Sequence, residues 1–156
     1  GRFGKRLDAK IAMGAQKWVD VFRYNDTQSC IDTLRAQGYQ IVATTPHKDA
    51  YFLNDFDITK KSAFFFGTEK EGLSTQVLPQ ADTFLKIPMV GFTESLNISV
   101  AVAIVLQQLT DKLRRSEIAW QLSDEERLNT LIHWTKQSIR NVNDILTRYE
   151  EIKDTL

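Results

Sequence analysis

Apolar residues come in short runs along most of this chain, each run broken by a polar or glycine-containing turn. The segment KWVDVFRY (17–24) alternates apolar and polar positions and reads as a strand. DTQSCIDTLRAQG follows as a short helix. Asp26 or Thr27 stands at its N-cap, Ile31 and Leu34 share a face, and Gly38 is the stop. YQIVATT (39–45) is strand-like and ends at Pro46. SAFFFG (62–67) is the next strand, and Ser74 is placed to cap a helical turn through STQVLPQA. TFLKIPM (83–89) is another strand, closed by the loop VGFTE.

Ser95 is then read as the cap of LNISVAVAIVLQQLTDKLRR. SVAVAIV fits a strand alternation, but the length, the cap and the spacing of Leu106, Leu109 and Leu113 favour a buried helix. Alternating strands and helices predict an α/β fold, a mainly parallel sheet with helices on both faces. Residues 124–153 differ. Leu128, Leu131, Thr135, Ile139, Val142, Leu146 and Tyr149 recur at three- and four-residue spacing, one long amphipathic stripe over a charged face. The stripe reads first as packing against the parent domain, and second as a dimer or RNA contact.

Composition narrows the functional classes. The 156 residues are enough for one domain with a real core, and 42% hydrophobic with 26% charged residues is a globular balance. Net charge is zero, so any nucleic-acid site must be a local patch. The cluster Arg2, Lys5, Arg6 and Lys10 in GRFGKRLDAK is the one candidate. Cys30 is the only cysteine, which rules out an internal disulfide. The only histidines, His47 and His133, lie far apart, so no metal site is expected. No apolar run reaches the roughly 18 residues of a membrane helix, and GRFGKRLDAK lacks the apolar core of a signal peptide. A cytoplasmic location, with no membrane partner, is the expectation.

Three loops follow three of these strands: TTPHK, GTEKEG and VGFTESLN. Ligands of open α/β sheets sit beyond the carboxyl ends of the strands. Gly67, Gly72 and Gly91 permit close approach of backbone to a ligand, and Ile87, Met89 and Leu96 are placed to sandwich a flat ring. Ser95 and Asn97 add polar groups at a helix start, where backbone N–H groups point outward. The combination suits a nucleoside-like cofactor, although neither G-x-G-x-x-G nor a Walker A loop occurs.

FFFGTEKEGLS and IPMVGFTESLNISVAVAIVLQQL resemble the second and third signature motifs of the SPOUT methyltransferases, in the SpoU/TrmH group of RNA 2′-O-ribose methyltransferases. The pattern is G-x-E-x-x-G-L, then I-P-M, then S-L-N-I-S starting 26 residues after Glu69. GAQKWVDV and GYQIVATT also resemble the intervening strands of that family. The resemblance covers about residues 1–115 as a methyltransferase domain and leaves 116–156 as a C-terminal helical extension, similar to the tail of some tRNA-directed members.

The resemblance implies a C-terminal trefoil knot, S-adenosylmethionine bound bent within it, and a homodimer that completes the site. It implies methyl transfer to a ribose 2′-hydroxyl in RNA, with tRNA favoured over rRNA. Glu69 would organise the catalytic loop, Asn97 would hold that loop or the substrate, and Ser95 would assist. Thr44, Thr45, Gly67, Ile87, Met89 and Leu96 would line the cofactor pocket, and Arg2, Lys5 and Arg6 would meet RNA phosphates. The family's first motif, with its asparagine and arginine, is missing from this sequence, which reads either as a fragment or as a chain lacking part of the catalytic apparatus, and the motif's role is not carried over to Arg2 or Arg6. Poor cofactor binding, and methyl transfer that is slow or absent, by residues 1–156 alone is the corresponding expectation. The competing reading is a non-catalytic RNA-binding or dimerising module of the same fold, and a third is an unrelated nucleotide-binding domain. Without the motifs, Glu69 would be a solvated loop acid. Glu71 keeps that reading even with them. His47 reads as an exposed loop residue, and His133 beside Trp134 as a packing residue.

Overall fold

A computed structural model describes residues 15–46, 50–68, 71–92 and 95–153. Its chain divides into two compact units. Tyr24–Trp120 form one, and the described residues up to Arg23 together with those from Gln121 onward form the other.

The first unit is built on a four-stranded parallel sheet: β1 (Gln40–Thr44), β2 (Tyr51–Phe52), β3 (Ser62–Phe65) and β4 (Thr83–Lys86), in the order β2-β4-β1-β3. The central strand β1 pairs Val42 with Phe64 on one side and with Thr83 on the other. Ile41, Val42 and Ala43 are buried, as expected of a parallel strand covered on both faces. Side chains alternate across the sheet. Ile41 joins Ile31 and Val77 in one core, against helix α1 (Thr27–Ala36), with Ala63 and Phe65 beside them. Val42 joins Leu53, Phe56, Leu85, Val105 and Leu109 in the other, against helix α2 (Ile98–Arg114), with Phe64, Phe66 and Ile87 packed on it. The sheet therefore has helices on both faces, and TFLKIPM stops being a strand at Lys86, just before the Ile87–Pro88 step that disfavours further pairing.

Local chemistry fixes the ends of α1. Asp26 caps it, accepting from the Ser29 amide at 2.7 Å and the Ser29 hydroxyl at 2.8 Å. These bonds favour the charged carboxylate and hold the Asp26 pKa below its ordinary value. Gly38 follows the helix at φ 82°, and Tyr39 donates back to the Leu34 carbonyl at 3.0 Å. Arg35 then donates to Gln80 O at 2.7 Å and to Asp82 Oδ1 at 3.1 Å, while Asp82 Oδ2 accepts from the Ile41 amide at 2.7 Å. One carboxylate thus fastens α1 to the start of β1. On the other face Lys112 donates to Phe56 O at 2.7 Å and Asn54 O at 3.1 Å, and Gln108 bonds Asn54. These contacts seat α2 on the short turn after β2.

Several expectations need correction. Residues 17–24 form no strand: Ala15–Trp18 is a single 3-10 turn, and Val19, Val21 and Phe22 are exposed. Alternation makes a strand only where another strand offers its edge, and no described strand pairs with this segment. The cap of α2 is Asn97 rather than Ser95, because the helix begins at Ile98 and Asn97 Oδ1 accepts from the Ser99 amide at 2.9 Å. That helix is not buried all round: Val105 and Leu109 are buried, but Val100 and Leu106 are exposed.

In the second unit the long stripe is broken. Helices α3 (Asp124–Ser138) and α4 (Val142–Lys153) meet at a turn where Asn141 takes φ 55°. A reciprocal capping box starts α3: Ser123 Oγ accepts from the Glu126 amide at 3.2 Å, and Glu126 Oε2 accepts from the Ser123 amide at 2.8 Å. Trp134 meets Trp18 edge to face at 5.6 Å. His133 is not a packing residue: it is exposed and bonds Gln137 one turn along α3.

Candidate active site at the carboxyl ends of three strands

Strands β3, β1 and β4 lie side by side and run the same way. Their carboxyl ends therefore deliver the segments that begin at Thr45, Phe66 and Ile87 to one edge of the sheet. The chain order also reverses here, since β1 has β3 on one side and β4 on the other. Such a switch point opens a crevice in which open α/β sheets bind ligands.

Thr44 and Thr45 close the middle of that edge. The Thr44 hydroxyl donates across the strand gap to Phe65 O at 2.8 Å, and the Thr45 amide donates to Leu85 O at 2.8 Å. One threonine thus ties β1 to the segment entering GTEKEG, and the next ties it to the segment entering IPM. Both are half-buried.

The GTEKEG segment folds back on itself. Thr68 and Gly72 exchange backbone bonds, Thr68 N to Gly72 O at 2.9 Å and Gly72 N to Thr68 O at 3.0 Å. The Thr68 hydroxyl accepts from the Glu71 amide at 3.0 Å. Gly72 sits at φ 65°, a conformation that suits glycine. Gly67 has no room for any side chain, because a Cβ there would lie 2.1 Å from the Gly72 carbonyl carbon and 2.3 Å from Leu73 N. Ser74 then turns the chain away, its hydroxyl accepting from the Gln76 amide at 3.1 Å.

On the third segment Ile87, Met89 and Leu96 are half-buried, whereas Val90 and Phe92 are fully exposed. Gly91 takes φ 102° between them. Ser95 is exposed just ahead of Asn97, the cap of α2.

The fold thus sends Thr44, Thr45, Gly67, Ile87 and Met89 to one sheet edge, with Leu96, Ser95 and Asn97 continuing from the third segment. Glu69, named from the sequence, lies outside the described residues, as do His47, Arg2, Lys5, Arg6 and Lys10. Glu71 is exposed, in keeping with a solvated loop acid. Thr68 was not singled out from sequence. Its only signal in the sequence is its place between Gly67 and the acids that follow, and its hydrogen bonds depend on the meeting of Thr68 with Glu71 and Gly72. Cys30 lies on α1, where partial burial pushes its thiol pKa up and away from a reactive thiolate. Among the described residues no group of three or more metal-ligating side chains occurs. No helix among them is long and apolar enough to cross a membrane.

The parallel sheet with helices on both faces defines an open α/β domain. Residues 5–107 match the SpoU rRNA Methylase family, and the chain belongs to that family. It is 42% identical over 135 residues to a protein of Borreliella burgdorferi named tRNA (guanosine(18)-2'-O)-methyltransferase, a match covering 86% of this chain and 62% of the relative. The chain thus spans less than two thirds of that relative's length. The crystal structure of the A. aeolicus TrmH/SpoU tRNA modifying enzyme superposes with a TM-score of 0.70 at 29% identity, over 90% of this chain and 72% of the other. An AdoMet-bound rRNA methyltransferase from Sinorhizobium meliloti superposes with a TM-score of 0.51 at 30% identity, over 56% of this chain and 33% of the other.

Proposed function

We propose that this chain forms the methyl-transferring domain of a tRNA ribose 2′-O-methyltransferase that uses S-adenosylmethionine and acts on guanosine 18. The convergence of the TTPHK, GTEKEG and IPM segments on one edge of a parallel sheet is the observation that carries the reading. The names of its relatives supply the substrate.

The described residues fit the cofactor. Thr44, Thr45 and Gly67 would meet its polar parts through backbone and hydroxyl groups, and Ile87, Met89 and Leu96 would flank its flat ring with half-buried apolar surface. When bound, S-adenosylmethionine supplies a methyl group already electrophilic on a sulfonium. The protein's task is then to hold a ribose hydroxyl in line with that methyl while the hydroxyl loses its proton. Thr68 and Gly72 exchange backbone hydrogen bonds on the second segment, and the Asn97 cap starts the helix after the third. Glu69 is assigned to organise the loop, with Ser95 and Asn97 as its neighbours in the catalytic role.

The same reading includes a C-terminal trefoil knot in the fold, with residues 1–115 as the methyltransferase domain and 116–156 as a helical extension. It takes Arg2, Lys5 and Arg6 to RNA phosphates, pairs two copies into a homodimer, and places the protein in the cytoplasm with tRNA. The test is transfer of tritiated methyl from S-adenosylmethionine into unfractionated tRNA by the whole polypeptide that carries these residues. Label at the 2′-oxygen of guanosine 18 is the expected result. Cofactor binding without label in any RNA would instead favour the non-catalytic module.

A further inference from the structure

We infer that Phe52 and Lys86 hold one nucleotide of the RNA substrate beside the methylated ribose, the ring stacking on its base and the ammonium meeting its phosphate. The inference rests on the methyltransferase reading above and adds to it a place where the RNA is gripped.

Phe52 ends the edge strand β2 and is the register partner of Lys86, the last residue of β4. Leu85, the neighbour of Lys86, is buried in the core against α2, so Lys86 and Phe52 lie on the opposite face of the sheet. Helix α1 covers that face over Ile41, Ala63 and Phe65, and its apolar cluster takes in no residue of β4 or β2. Phe52 is 46% exposed and belongs to neither apolar cluster, so core packing does not account for it. The Lys86 Nζ lies over its ring, 4.1 Å from the centre.

A half-exposed ring beside an ammonium matches the two groups that an unpaired nucleotide presents, a flat base and a charged phosphate. Stacking accepts any base, and the flexible four-carbon stem of lysine lets its ammonium reach a phosphate beside the ring. The chain has no net charge, so RNA binding depends on local groups of this kind. The location fits as well. Lys86 directly precedes Ile87, which flanks the cofactor in the reading above, so a nucleotide held here stands next to the edge at which the ribose is presented. A lysine on an outer strand pair can instead serve only to keep the sheet edge from pairing with another chain. The two roles separate by experiment.

Phe52→Leu keeps apolar bulk and loses the aromatic face, which Phe52→Trp retains. Lys86→Gln loses the charge, which Lys86→Arg retains. Each is compared with the wild type in the whole polypeptide by filter binding of unfractionated tRNA over a range of salt, by calorimetry with S-adenosylhomocysteine and by steady-state methyl transfer. Phe52→Leu and Lys86→Gln should each weaken tRNA binding by about five- to tenfold and raise the KM for tRNA to match. The affinity for S-adenosylhomocysteine and the Tm should not change. Lys86→Gln should also reduce the slope of log affinity against log salt by about one, whereas Phe52→Leu should leave it unaltered. Phe52→Trp and Lys86→Arg should bind tRNA within about twofold of the wild type. Wild-type tRNA affinity in Phe52→Leu and Lys86→Gln overturns the inference and leaves the pair as cover for a sheet edge. An unchanged salt slope in Lys86→Gln, or a Phe52→Trp variant as weak as Phe52→Leu, overturns it too. So does a lowered Tm or a loss of S-adenosylhomocysteine affinity in either variant, which would assign the pair to the fold. The expected losses of tRNA affinity in a protein whose wild type transfers no methyl group would instead overturn the methyltransferase reading and keep the RNA contact.

Discussion

Gly67 lies directly against the backbone of Gly72, so close that a Cβ on Gly67 would stand 2.1 Å from the Gly72 carbonyl carbon. The contact is between two stretches of main chain, and neither can move aside by changing a rotamer. Gly67→Ala should force the Thr68–Gly72 loop off the end of β3. The expected cost is about 1–3 kcal/mol of stability, the range for overpacking a tight site. Methyl transfer should fall further than that cost alone explains, by about 10²-fold, since displacement of a positioning loop acts on transition-state geometry. Urea titration and methyl transfer on the same preparation check both parts, and wild-type activity in Gly67→Ala would show that the loop tolerates the shift.

Asn97 separates a structural from a catalytic role. Its side-chain oxygen caps α2 by accepting from the Ser99 amide at 2.9 Å. Asn97→Ala should cost about 1 kcal/mol of stability, whereas Asn97→Asp should keep the cap. If Asn97 also serves the substrate, Asn97→Asp should remain stable and still lose methyl transfer. Full activity in Asn97→Asp would leave the cap as its whole function.

Glu69→Ala should cut methyl transfer by about 10²-fold or more while changing the denaturation midpoint little, because a loop acid orders geometry rather than a core. Unchanged turnover would return Glu69 to the status of a solvated acid.

Acid sensitivity has a local source at Asp26. Hydrogen bonds from Ser29 hold its folded-state pKa below the ordinary value of 3.8. A depressed carboxylate pKa stabilises the fold at pH above the unfolded value, and that contribution is lost as pH falls through the lower folded value. Asp26→Asn keeps an N-cap acceptor but has no proton to take up. Its Tm should therefore fall less steeply than the wild type's below about pH 4. Parallel acid limbs in the two proteins would show that the cap carboxylate does not contribute to acid unfolding.

Leu106 bears on assembly. It is 53% exposed on α2, on the same helix as the exposed Val100 and Ile98. If two copies pair through this helix, the interface should bury at least roughly 1,000 Å² in total. Leu106→Glu should then convert the dimer to an 18 kDa species in light scattering without lowering monomer stability. A wild type that is already monomeric at micromolar concentration would remove the proposed dimer.

Much of the first unit was legible because its signals are local. The buried run in YQIVATT, the apolar runs in SAFFFG and TFLKIPM, and Asp26 with Gly38 around one amphipathic turn each report their own element, and the structure places β1, β3, β4 and α1 there. The strand expected at 17–24 was not realised because pairing is a property of the neighbour, not of the segment. Strand β2 went unseen because Tyr51–Phe52 is too short to show a period and exists through its pairing with Leu85 and Lys86. The stripe over 124–153 kept its spacing through Ile139 while the backbone broke at Asn141, since periodicity records side chains and not φ.

By itself the sequence determined which residues could form the site: glycines at 67, 72 and 91, a polar helix start, and an apolar I-P-M run, spaced so that three loops follow three strands. Only the tertiary structure decided that those loops meet. Their meeting depends on the order β2-β4-β1-β3, which sets β3 and β4 on opposite sides of β1 with all carboxyl ends together. It also made Gly67 indispensable and gave Thr68 a partner in Glu71, because both depend on the chain returning to within contact of itself. Residue type and spacing act along the chain, whereas strand order, close approach of backbones and the fate of each amide are settled only between segments that packing has brought side by side.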